Sequence, residues 1–213
     1  MMTRIYATSA VALIAALLGG AAVSVYLGQT NSNRADDPFG QCRATTIAGG
    51  AGTIGGPFEL VSETGETVTD VDVITEPTLI YFGYTFCPDV CPLDTMRNAE
   101  AVEILEEDGM SVQPVFITVD PERDTPEVVA AFTDVMHPRM LGLTGSLEQT
   151  DAASRAYRTY YRKQDSGDEF YLVDHSTLSY LVLPEHGFVE FFRREASPQE
   201  LAEQVACFVD AAS

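Results

Sequence analysis

The 213-residue chain is short of positive charge: 12 Lys and Arg stand against 32 Asp and Glu, for a formal net charge of −20, and Lys163 is the only lysine. Nothing basic clusters into a stripe that would neutralise phosphates, which argues against nucleic-acid binding. The acidity reads as solubility more than as steering of a cationic partner. Histidine is scarce too, at three residues, so imidazole chemistry has few places to reside. No internal repeat or second apolar core is evident, and 46% apolar content suits one well-buried domain plus an attachment segment.

Charge is missing altogether from Ile5 to Asn33. The Ala/Leu/Val-rich heart of that stretch, Ala7 to Leu27, is about twenty residues, enough to cross a hydrocarbon core of roughly 30 Å. Arg4 before it favours an N-in orientation with the remainder exported. A cleaved signal peptide competes, because residues 19–24 (Gly-Gly-Ala-Ala-Val-Ser) suit a peptidase, although a signal h-region is usually about 7–15 residues long. The segment is neither amphipathic nor Arg-rich, which disfavours an organellar transit peptide. The expectation is a membrane anchor over residues 1–28, a polar Gly/Ala-rich tether over 29–53, and a domain over 54–213. That domain faces the periplasm from a bacterial inner membrane.

The domain opens with a hairpin: Phe58-Glu59-Leu60-Val61, a turn at Glu63–Glu66, then Thr67-Val68-Thr69. Thr78–Phe82 is an unbroken run of β-formers, as for a central strand buried on both faces, and Val112–Val119 is a second. Leu93–Glu107 reads as a helix closed by Asp108-Gly109. Thr125-Pro126 opens another, running to about Met136 before Pro138. Leu141-Gly142-Leu143 reads as a short strand, and the capping box at Ser146 opens a helix to about Tyr160. Gln164–Glu169 reads as an acidic surface loop. Thr177–Leu183 and Phe188–Phe192 flank a turn at residues 184–187, and a second capping box at Ser197 opens a terminal helix. This order predicts an α/β, thioredoxin-like mixed central sheet with flanking helices and an added N-terminal hairpin, preceded by one transmembrane helix.

Cys87 and Cys91 fall where the first buried strand turns into a helix, each followed by a proline, Pro88 and Pro92. Residues four apart on an opening helical turn can aim their sulfurs the same way, and the helix N-terminus favours thiolates. The usual exchange motif is C-x-x-C; three intervening residues leave a disulfide feasible but suit two thiolates gripping one soft ion, Cu(I) or Zn(II). A third ligand must come from a histidine. His137 reads as a helix-end charge or surface residue, and His186 as part of an exposed turn. His175 enters a strand after a loop, at the place where thioredoxin-like folds usually carry a cis-proline; here no proline lies between Met140 and Pro184. It therefore reads as the ligand, with a core histidine as the competing account. Asp174 either orients that imidazole or faces solvent.

These segments together resemble the Sco/SenC family of copper chaperones for cytochrome c oxidase assembly. The resemblance rests on Gly55–Leu60, Tyr81–Pro92, Ile117–Thr125, Gly142–Gly145 and Val173–His175. It implies a thioredoxin-like fold and copper, as Cu(I) or Cu(II), held by Cys87, Cys91 and His175. It also implies delivery to the dinuclear CuA centre of oxidase subunit II, with an upstream periplasmic copper donor and the membrane as further partners. At Leu93–Met96 the chain departs from a frequent C-P-x-x-L pattern, and Leu93 is expected to make the core contact from a shifted position. Asp120 and Glu122–Asp124 are read as capping the next helix and forming loop pairs, with partner docking the lesser reading.

Three readings compete: a copper chaperone without turnover, a thiol–disulfide oxidoreductase using Cys87 and Cys91 to reduce the acceptor's cysteines, and a peroxidase. The last would need an arginine beside a peroxidatic cysteine, with Thr85 available. Cys42 and Cys207 remain, an even pair in an oxidising compartment. A bridge between them would pin the tether's end to the terminal helix, whereas a buried free thiol at Cys207 is the alternative.

Overall fold

The computed structural model describes residues 37–43, 50–164 and 170–212. The anchor expected at 1–28 lies outside them, and among the described residues no helix is long and apolar enough to cross a membrane. Residues 37–41 form a turn, closed by the Gly40 N–H on the Asp37 carbonyl at 3.0 Å. From Cys42 onward the chain forms a compact unit.

Within that unit, β1 (Glu59–Ser62) and β2 (Thr67–Thr69) make the N-terminal hairpin, followed by a single helical turn, α1 (Asp70–Val73). β3 (Thr78–Gly83), α2 (Val90–Glu107), β4 (Gln113–Thr118), α3 (Pro126–Thr133), β5 (Leu141–Thr144) and α4 (Leu147–Ala156) then alternate. The remaining elements are β6 (Tyr161–Lys163), β7 (Val173–His175), β8 (Ser179–Leu183), β9 (Gly187–Phe192) and α5 (Pro198–Ala211). The main sheet runs β2-β1-β5-β4-β3-β8-β9, with β3, β4 and β5 parallel and the outer strands antiparallel. β6 and β7 pair only with each other among the described residues, Tyr161 opposite His175. The architecture is the mixed α/β, thioredoxin-like one. Every residue of β3 is buried, as a strand covered on both faces by crossover helices must be.

Local chemistry explains the boundaries. Thr125, Ser146 and Ser197 each accept a backbone N–H three residues on, opening α3, α4 and α5. α4 stops at Ala156, short of the Tyr160 end expected, because Arg158 adopts a left-handed φ of 52°. The Thr159 N–H then closes back on the Ser154 carbonyl at 3.0 Å, and the next residues are released to form β6. α2 begins at Val90, three residues before the start expected. Burial of Cys91 sets its phase: 91, 94, 95, 98, 102 and 105 face inward, and 93, 96, 100 and 103 face out. Leu93 is accordingly 57% exposed and makes no core contact, which corrects the expectation above.

The stretch read as a tether is pinned at Cys42, which forms a disulfide with Cys207 on α5. Beside it the Arg43 guanidinium donates to the Val189 carbonyl and lies over the Phe208 ring.

Candidate metal centre

β3 ends on Gly83 for a steric reason. A Cβ there would lie 2.8 Å from the Tyr81 ring, 3.0 Å from Phe116 and 3.1 Å from the Cys91 sulfur. Glycine lets the sulfur pack directly on the strand end. The chain then turns into α2, where the nominal cap, Asp89, makes no side-chain cap bond. The Cys87 sulfur takes that place, accepting the Cys91 N–H at 3.4 Å and also the N–H of Asp89. Both thiols are free, and Cys91 is fully buried, whereas Cys87 is 8% exposed.

β7 delivers the imidazole. His175 Nε2 lies 3.2 Å from the Cys91 sulfur, and Nδ1 lies 2.8 Å from the Ser176 carbonyl oxygen. A carbonyl only accepts, so the proton sits on Nδ1 and Nε2 turns its lone pair to the sulfurs. Tyr81 and Tyr84 meet the imidazole edge-on, at 6.2 and 5.8 Å between centroids. The two sulfurs and one imidazole nitrogen all lie within 4.8 Å of one another. That spacing and that mixture of soft and borderline donors fit one thiophilic ion.

The thiols are unequal. A hydrogen bond from Cys91 lowers the Cys87 thiol well below its ordinary range, against the effect of burial, and the N–H groups of Asp89 and Cys91 add to the lowering. The same bond to Cys87, together with burial, pushes Cys91 up. The shared bond thus divides the pair, favouring the thiolate at Cys87 and the thiol at Cys91.

A polar shell surrounds these donors. The Tyr81 hydroxyl donates to Asp94 at 3.0 Å, and Arg194 approaches the same carboxylate at 3.5 Å. Burial pushes the Asp94 carboxyl up. Asp124, fully buried, accepts the Thr85 N–H at 3.0 Å and the hydroxyls of Thr85 and Thr118 at 2.5 Å each. Asp124 therefore fixes the dithiol loop, and Thr125 alone caps α3. The Thr85 hydroxyl is committed to Asp124, which leaves the peroxidase reading without its expected donor.

Asp174, read as either orienting the imidazole or facing solvent, takes the Gln164 amide at 2.6 Å and Arg162 at 3.3 Å, and the imidazole Nδ1 is met by the Ser176 carbonyl instead. His186 is exposed in the β8–β9 turn. His137, read as a helix-end charge or surface residue, is only 4% exposed: its Nδ1 accepts the Arg139 N–H at 3.1 Å and Nε2 lies 3.8 Å from Glu106. Sequence reasoning missed Gly83, Tyr81, Asp94, Asp124 and Ser176 as parts of the site. Tyr81, Gly83 and Asp124 lay inside the quoted motifs and Asp94 just past one, but a backbone carbonyl carries no residue-type signal.

The chain matches the family model described as SCO1/SenC over residues 48–210. It is 54% identical over 201 residues to Protein SenC of Rhodobacter capsulatus, covering 92% of this chain and 90% of that one. Among solved structures it is similar to Arabidopsis thaliana ScoI with copper bound, at 42% identity and a TM-score of 0.69, covering 74% of this chain and 99% of that one. It is also similar to Bradyrhizobium japonicum ScoI with copper bound, at 38% identity and a TM-score of 0.66, covering 72% and 98%.

Proposed function

The chain belongs to the SCO1/SenC family, and on that footing we propose that it is a membrane-anchored periplasmic copper chaperone for the CuA centre of cytochrome c oxidase subunit II. The observation that carries this reading is the convergence of Cys87, Cys91 and His175 Nε2, with the imidazole proton held on the far nitrogen. Two solved relatives hold copper, and Sco proteins are cytochrome c oxidase assembly proteins. Copper here is cargo. Two thiolates and an imidazole make a three-coordinate site suited to Cu(I), with room for a ligand of the acceptor to begin the exchange. Cys91 is the inner donor and Cys87 the more exposed one, so exchange starts on the Cys87 side. An upstream periplasmic donor supplies the metal, and residues 1–28 hold the domain at the bacterial inner membrane.

A second reading, thiol–disulfide exchange on the acceptor's cysteines, is favoured by one observation. Cys87 is the stabilised thiolate and Cys91 the protonated neighbour, the division of roles that attack and resolution require. His175→Ala separates the two. Reduced wild-type protein should take one Cu(I) with two sulfurs and one nitrogen by X-ray absorption, and the variant should lose tight binding while keeping dithiol exchange. Unchanged copper affinity in the variant would remove His175 from the ligand set.

A further inference from the structure

β7 carries His175 yet lies outside the main sheet, paired with β6, so main-sheet hydrogen bonds do not set the distance from imidazole to thiols. Arg123, in the turn after β4, touches both halves of the donor set. Its guanidinium carbon lies 4.8 Å from the Phe86 ring centroid and 5.8 Å from that of Tyr84, both in the dithiol loop. The same carbon lies 3.6 Å from the ring of Tyr171, two residues before β7. Its Nε donates to Asp120 at 2.5 Å, and Asp120 in turn accepts the Tyr171 hydroxyl at 2.7 Å. The buried Nη2 has no hydrogen-bond partner among the described residues, so the ring faces are its environment. One more bond crosses between the halves: the Val173 N–H donates to the Tyr84 hydroxyl at 3.3 Å.

We propose that Arg123 is a positioning residue, a planar wedge among Tyr84, Phe86 and Tyr171 that sets how far His175 stands from Cys87 and Cys91. The neighbouring Asp124 fixes the loop backbone through Thr85, while Arg123 ties that loop to the histidine strand. A guanidinium suits this task because its flat face stacks on rings while its edge still pairs with Asp120; an ammonium offers no such face. The consequence for metal rests on the copper reading above, but the positioning itself does not.

The test uses the full chain, reduced and metal-free, as wild type, Arg123→Ala, Arg123→Lys and Tyr171→Phe. Nuclear Overhauser contacts between the His175 ring protons and the Tyr84 ring report the separation directly. Arg123→Ala should abolish them while the thermal melt stays cooperative. Arg123→Lys should restore only part, and Tyr171→Phe, which loses the hydroxyl bonds to Asp120 and Glu122 but keeps the ring, should weaken them. After one equivalent of Cu(II), Arg123→Ala should lose the imidazole-nitrogen superhyperfine pattern, and copper affinity should fall about tenfold or more. Wild-type contacts in Arg123→Ala overturn the proposal, whatever the copper does. Should Arg123→Ala fail to fold, undiminished contacts in Tyr171→Phe overturn it instead. Contacts that respond in a chain whose wild type takes no copper on sulfur and nitrogen uphold the wedge and end the copper reading.

Discussion

The two cysteine pairs of this chain share a side chain and little else. Cys42 and Cys207 are 165 residues apart in sequence, and their bond closes most of the domain into a covalent loop. Cys87 and Cys91 are four apart and unbonded, with an imidazole at 3.2 Å and two backbone N–H groups directed at one sulfur. Company decides the chemistry. Where a thiol meets donors and a lone pair it is held as a ligand or nucleophile; where two meet across distant segments they close a staple.

That contrast breaks most sharply if either member of the inner pair is removed. Cys91→Ser is expected to drop copper binding below detection by equilibrium dialysis while the outer disulfide still forms, as mass mapping would show. Removing the outer pair should do the converse. Cys207→Ala is expected to cost about 2–5 kcal/mol in denaturant unfolding, with metal stoichiometry unchanged. Loss of copper binding in that variant would show the two pairs to be coupled.

Gly83→Ala probes the inner pair by packing alone. The added methyl meets the Tyr81 ring at 2.8 Å and the Cys91 sulfur at 3.1 Å, so about 1–3 kcal/mol of stability should be lost. Copper affinity should drop with it. The smallest effect is the proton count. Because Cys87 is already a thiolate and Cys91 is not, copper loading at pH 7 should release about one proton rather than two. Affinity then weakens roughly tenfold for each unit the pH falls, because the proton on Cys91 competes with the metal, and calorimetry in buffers of different ionisation enthalpy measures the count.

Much of the inner pair was legible in the sequence, because strand-to-helix position and spacing are local properties. The buried run of β3, the capping boxes and the N-terminal hairpin were legible for the same reason. The rest depends on contacts that no spacing encodes. The β6–β7 ribbon was hidden because Arg158, with no glycine to mark it, takes the left-handed turn that ends α4. Leu93 was placed in the core as a stand-in for the leucine of the C-P-x-x-L pattern, whereas the phase of α2 is set by Cys91 and buries Asp94 and Asn98 instead. Asp124 looked like a helix cap, and its partner Thr85 is 39 residues away. His137 looked exposed because the glutamate near it comes from another helix, α2.

The cap that Cys87 provides to α2 joins cargo to backbone. The helix begins on a sulfur, so its first turn is held by the same electron pairs that a metal would draw upon. An ion taking charge from that sulfur would weaken its grip on the Asp89 and Cys91 N–H groups, so filling the site would loosen the start of α2. On the proposed delivery role, an arriving acceptor would meet a loaded surface whose outline differs from the empty one at this helix end.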